Sequence, residues 1–237
     1  MTVGHDVIRA LLVLEHDVLL STTELAFRHG GFAHRSERTL RGARNAIAEW
    51  QPHVILLDIG LGSGSAMQLI GEVRSVSSIG LIALTRRSDL SEEVDALERG
   101  ADDYISIPFV PGDLIARTRA VLRRSHVTPG ALAARHQVGD LQMSVSGRIL
   151  SVSGSEVRLT SLDQALLYVL VANAGRTLTR SQILDAVWGA EFVAQSNLVD
   201  KHVRALRQKL KDDRQHPRYI ETVAGVGYRF LLKPDPE

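Results

Sequence analysis

The chain has 237 residues, which suits one large domain or two ordinary ones, with 44% apolar and 23% charged residues, a composition of packed cores. It has no cysteine, which excludes disulfides, thiolate zinc sites and a cysteine nucleophile. The net charge of +1 divides unevenly: residues 1–125 carry 14 Arg against 16 acids, residues 126–237 carry 14 Lys/Arg against 11, and seven of these bases crowd into 197–218 beside three acids, a hint of nucleic acid.

In chain order, the apolar run 8–14 predicts a buried strand, and 19–29 a helix closed by Gly30 and Gly31. Residues 54–57 are a second apolar run, ending at Asp58, followed by a helical stretch with Met67, Leu69, Ile70 and Val73. Residues 80–84 predict a strand, 91–99 a helix closed by Gly100, and 104–107 a short strand ending at Pro108. Residues 114–124 complete this half with a helix whose apolar face holds Leu114, Ile115, Val121 and Leu122. Strands alternating with helices predict a parallel sheet covered on both faces. Sites in such sheets form outside the carboxyl ends of the strands. Glu15, His16, Asp17, Asp58, Thr85 and Ile107 fall there.

Residues 125–137, with Pro129-Gly130 and several small residues, predict a linker. Runs at 141–145, 149–152 and 157–159, with turns at Gly147 and Gly154, predict a small antiparallel sheet. Three helices follow: 162–173, capped by Thr160 or Ser161; 180–188, capped by Thr179; and 197–211, capped by Ser196. Residues 219–223 and 228–232 flank a hairpin turn, so the second half reads as a winged helix. On its third helix Leu198, Val199, Val203, Leu206 and Leu210 take core-facing positions. Lys201, Arg204, Gln208 and Lys211 then face outward, with Arg207 flanking. Trp188, Tyr228 and Phe230 read as core. No run is long enough to cross a bilayer and no secretory pattern is visible, so no membrane partner and a cytoplasmic location are expected.

Four stretches in order carry a resemblance: Gly100-Ala101-Asp102-Asp103-Tyr104 with Pro108-Phe109; Ala186-Val187-Trp188-Gly189; the run VDKHVRALRQKL from Val199 to Leu210; and Thr222-Val223-Ala224-Gly225-Val226-Gly227-Tyr228-Arg229-Phe230. In them the chain resembles the OmpR/PhoB family of response regulators over nearly its whole length. The resemblance implies an α/β doubly wound, CheY-like receiver with a five-stranded parallel sheet over 5–124. A linker over 125–137 and an α+β winged-helix DNA-binding domain over 138–233 complete the expected organisation.

In that family a strand-end aspartate takes a phosphoryl group from a histidine kinase, with magnesium neutralising its oxygens. Asp58 matches the phosphorylated position, Thr85 the switch hydroxyl, Tyr104 the switch aromatic and Glu15 the first of two acids. His16 replaces the second acid and Ile107 the phosphate-pairing lysine. The loop Gly62-Ser63-Gly64-Ser65 stands where the family has Pro-Gly and an acid. A nitrogen at His16 suits a hard cation poorly, and Ile107 offers no charge. Each loss is worth roughly a hundredfold in rate or more. Magnesium on Glu15 and Asp58 is therefore an incomplete site, with Asp17 a substitute ligand only if its loop shifts. The expectation is weak or absent phosphorylation, no required cofactor and no enzymatic activity. His16 reads as a drifted, solvated residue, Ile107 as plain packing, and Tyr104 equally as a switch or a fixed surface aromatic.

The resemblance further implies a homodimer through the receiver. Asp102 and Asp103 match acids that pair with arginines of the last receiver helix, here Arg117 and Arg124, while Glu93 and Asp113 set two acids face to face. Double-stranded DNA is the implied partner of Asn197, Asp200, Lys201, Arg204, Arg207, Gln208, Lys211 and Arg229. Ala205 and Ala224 stand where many members carry arginine, which predicts weaker binding or altered site preference. Residues 190–195 match a loop that can touch RNA polymerase. A phosphorelay or adaptor protein, or a receiver that binds a small ligand or partner protein, stays open as an alternative. No second catalytic constellation supports an enzyme.

Overall fold

The computed structural model describes residues 7–62, 64–85, 90–107, 109–125, 136–143, 149–189 and 197–231. The first half runs β1 (Arg9–Val13), α1 (Asp17–His29), β2 (Ala33–Glu37), α2 (Leu40–Trp50), β3 (Val54–Asp58), α3 (Ser65–Val76), β4 (Gly80–Thr85), α4 (Leu90–Glu98), β5 (Asp103–Ser106) and α5 (Pro111–Arg124). Its strands form a five-stranded parallel sheet in the order β2-β1-β3-β4-β5. The central strands β3 and β4 are buried throughout, as the continuous runs VILLD and GLIALT require when helices cover both faces. One face packs Leu12, Leu56, Ile82 and Ile105 with α1 and α5; the other packs Leu11, Ile55, Leu57 and Leu81 with α2 and α3.

Two elements of this half went unpredicted. β2 is an edge strand, AHRSE, half-buried along its length, so no apolar run marks it. α2 buries only Ala43 and Ala46 completely, residues too small to make a strong stripe.

The second half runs β6 (His136–Val138), β7 (Leu141–Met143), β8 (Ile149–Val152), β9 (Ser155–Arg158), α6 (Ser161–Ala172), β10 (Thr177–Thr179), α7 (Arg180–Trp188), α8 (Leu198–Leu210), β11 (Ile220–Val223) and β12 (Gly227–Phe230). β6 to β9 make a four-stranded antiparallel sheet, and β10-β12-β11 a three-stranded one. β6 corrects the expected linker: His136 and Gln137 pair with Met143 and Gln142, so backbone hydrogen bonding starts inside the stretch read as connection. Residues 126–135 of that stretch, the Gly147 turn, Pro108, the Ser196 cap and the 190–195 loop lie outside the described residues.

Local signals start the helices. Thr160 with Asp163, and Thr179 with Gln182, form reciprocal capping boxes on α6 and α7. Helix α8 starts after Asn197, whose side chain makes no capping bond. Lys211, read as the helix end, is its left-handed cap at φ 55°. Helix α6 is buried from Asp163 to Val171, with only its ends reaching the surface. A helix apolar all round needs cover on every side. The second-half core supplies one side, and α1 of the first half supplies the other.

Candidate functional site

The first candidate site lies at the carboxyl edge of the parallel sheet. β1 and β3 are neighbours with Val13 opposite Leu57, so Glu15 and Asp58 leave the same edge. Asp58 is 2% exposed, and its Oδ1 accepts from the Gly60 amide at 2.9 Å. Thr85 ends β4 equally buried, and its hydroxyl donates to Glu92 Oε2 of α4 at 3.2 Å. A carboxylate therefore sits on the hydroxyl expected to receive a phosphoryl oxygen. Ile107, 4% exposed, packs with Phe109 and Leu84 in the α1–α5 core. Tyr104 is half-buried on the opposite face of the sheet, against the α2–α3 core.

His16 is not a solvated residue. Its Nδ1 accepts from the Leu19 amide at 3.4 Å and caps α1, while its Nε2 lies 2.8 Å from Asp185 Oδ2 on α7. With Nδ1 accepting, the proton sits on Nε2 and is donated to the carboxylate. Asp17 is turned to Arg38, which also donates to the Glu15 carbonyl at 3.2 Å. The Arg38 hydrogen bond and charge hold the Asp17 carboxyl below its ordinary range. Glu15, His16, Asp17, Val18, Arg38 and Gln182 line a cavity of about 480 Å³ between the halves.

Magnesium wants several oxygens in near-octahedral array. With Asp17 and His16 engaged elsewhere, Glu15 and Asp58 are the remaining carboxylates of the expected set. Among the described residues no group of three or more His, Asp or Glu is placed to hold a metal ion. The donor set is two carboxylates, one fewer than the three that the family resemblance implies.

The predicted pairing surface is rearranged. The Asp102 carboxylate faces inward, accepting from Arg74 Nη2 and the Leu81 amide, both at 2.8 Å. Arg124 donates to the Asp102 backbone carbonyl, at 3.2 Å. Arg117 does reach Asp103, at 3.3 Å, and also Asp113, at 3.0 Å. Asp113 thus answers to an arginine on its own helix rather than facing Glu93 unopposed. On α4, Leu90, Val94 and Leu97 are exposed at helical spacing.

The second candidate site is α8. Lys201, Arg204, Gln208 and Lys211 are exposed along it, and Asn197 is exposed at its start. Arg207 is a correction: it is 7% exposed, and its guanidinium donates to the Ile220 carbonyl at 3.2 and 2.6 Å and to Thr222 Oγ1 at 2.9 Å. Burial lowers its pKa. Asp200 is likewise engaged, accepting from Arg180 Nε at 2.8 Å and the Tyr228 hydroxyl at 2.7 Å. Burial works to raise the Asp200 carboxyl, but those bonds and charges outweigh it and the net shift is downward. Burial and the same carboxylate push the Tyr228 phenol up to about 12. Arg180 and Arg207 both lie over the Tyr228 ring, at 5.2 and 5.7 Å. This cluster ties α7, α8 and β12 together; Arg180, 20 positions from Asp200, carried no signal in the sequence. Arg229 pairs with Glu221 across the hairpin, at 2.6 Å.

Residues 10–119 match the family described as "Response regulator receiver domain", and residues 154–230 the one described as "Transcriptional regulatory protein, C terminal". The chain is 36% identical over 224 residues to the KDP operon transcriptional regulatory protein KdpE of Escherichia coli, covering 94% of this chain and 98% of that protein. It is 36% identical over 226 residues to the sensory transduction protein RegX3 of Mycolicibacterium smegmatis, covering 93% and 97%. The crystal structure of response regulator DrrB, a Thermotoga maritima OmpR/PhoB homolog, is 27% identical and covers 95% of this chain and 99% of its own, with a TM-score of 0.46.

Proposed function

The chain belongs to the OmpR/PhoB type of response regulators, and from that premise we propose a DNA-binding transcription regulator whose receiver works without ordinary phosphoryl transfer. The observation that carries this reading is the commitment of the two substituted positions. His16 is spent on capping α1 and bonding Asp185, and Ile107 is spent on the receiver core. Neither supplies the charge that phosphoryl transfer needs. The Thr85–Glu92 bond adds negative charge beside the same pocket. Asp58 is the position at which any phosphoryl group would appear.

Lys201, Arg204, Gln208 and Lys211 form the DNA-facing surface in this reading, with Asn197 at its end. Arg207, Asp200 and Arg229 shape that surface without facing the nucleic acid. A second copy of the receiver covers the α4 stripe of Leu90, Val94 and Leu97, with Arg117 and Asp103 at its border. Among the described residues no helix is long and apolar enough to cross a membrane.

The test is intact mass and sedimentation of the full chain with and without acetyl phosphate and magnesium. No mass gain, with DNA binding and association unchanged, is expected. One added phosphoryl group on Asp58 with a shift from monomer to dimer would overturn the phosphate-independent reading.

A further inference from the structure

Helix α1 is buried on two faces at once. Leu19, Leu20, Ala26 and Phe27 pack into the receiver core, while Val18 and Leu25 belong to the core of the DNA-binding half. Val18, Thr22, Leu25 and His29 are 1%, 4%, 4% and 4% exposed, and their spacing places them in one stripe. A receiver helix with one partner would leave that stripe wet. Its cover is α6, whose own burial is complete from Asp163 to Val171.

Polar bonds hold both ends of the stripe. At the start, His16 Nε2 meets Asp185 of α7 at 2.8 Å. At the end, His29 Nδ1 and the Tyr168 hydroxyl of α6 are 3.2 Å apart, with Tyr168 fully buried. Arg176 adds a looser pair with Asp17 at 3.8 Å. Lys201, Arg204, Gln208 and Lys211 stay exposed in this arrangement.

We propose that the outer stripe of α1 is a docking surface for the chain's own DNA-binding domain, closed by the His16–Asp185 bond. The two domains then act as one body that presents α8 without first opening. His16 is a positioning residue in this device: it joins the loop beside Asp58 directly to α7. The inference concerns domain contact and stands apart from the phosphate question.

The chain has no cysteine, so spin labels can be placed at two exposed positions, Ala48→Cys in α2 and Glu156→Cys in β9. The distance between them is then read in the full chain by pulsed electron resonance. A single narrow distribution is expected. His16→Asp keeps a good helix cap but sets a carboxylate against Asp185, so α1 should remain folded while the distribution broadens to longer distances. Adding Asp185→Asn to that variant removes the like charge and should narrow the distribution again. A His16→Asp chain with the parent distribution would overturn the proposal. So would broadening that Asp185→Asn fails to reverse, since the loss would then lie elsewhere than in this pair.

Discussion

Replacing Arg207 with alanine separates a structural arginine from a DNA-contacting one. The guanidinium makes its hydrogen bonds to the Ile220 carbonyl and Thr222 Oγ1 from a 7% exposed position, and Asp212 lies 4.0 Å away. The Asp212 carboxylate keeps the backbone amides of Arg218, Tyr219 and Ile220 after the change, but the Ile220 carbonyl loses its guanidinium. Hydrogen bonds to charged groups contribute about 1.5–3 kcal/mol, and removing one side of a buried ionic contact costs about 3–5 kcal/mol. A loss of about 3 kcal/mol follows, roughly a hundredfold in the unfolding constant. Urea unfolding reads it, with Trp188 in this domain and Trp50 in the receiver as separate reporters. Arg207→Lys keeps the charge without the fork and should fall between. A phosphate contact would behave otherwise: unchanged stability, and a salt dependence of DNA affinity flatter by about 0.9 in log–log slope. Stability within about 0.5 kcal/mol of the parent would refute the structural role.

Lys201→Ala or Arg204→Ala should leave urea unfolding within about 0.5 kcal/mol and flatten the salt dependence of DNA affinity by about 0.9 per lost phosphate contact, measured by anisotropy across a salt series. Burial works to raise the Asp163 carboxyl, but its bonds to Lys209 and Thr160 outweigh this and hold it below its ordinary 3.8. A depressed folded value contributes stability that is full above 3.8 and disappears as pH falls through the lower folded pKa, so thermal melts should weaken below about pH 4. Asp163→Asn should flatten that pH dependence. Tyr168→Phe removes the hydroxyl bonded to His29 inside the domain contact and should cost about 1–2 kcal/mol in the same urea assay; no change would remove that bond from the account.

Much of both folds was legible because its signals are local. The apolar runs ending at Asp58 and Thr85, the caps at Thr160 and Thr179, and the hairpin glycines act within a few residues. β2 was not legible, since an edge strand with half-buried polar residues has no apolar run to read. The exposed bases of α8 followed from its core-facing spacing, but Arg207 did not. Its flanking position allows either solvent or the β11 carbonyl, and only the neighbouring strand decides between them.

The same holds for the receiver pocket. The sequence by itself determined that residue 16 carries a nitrogen and residue 107 an aliphatic side chain, at positions where the family resemblance implies an acid and a lysine, because residue identity sets charge and ligand hardness. Only the tertiary structure decided what those residues do instead. His16 caps α1 and reaches Asp185, a residue 169 positions away, and His29 meets Tyr168 across 139. No pattern along the chain ranks such contacts. They exist because α1 and α6 each carry a second apolar face, and burying the two together removes both from water.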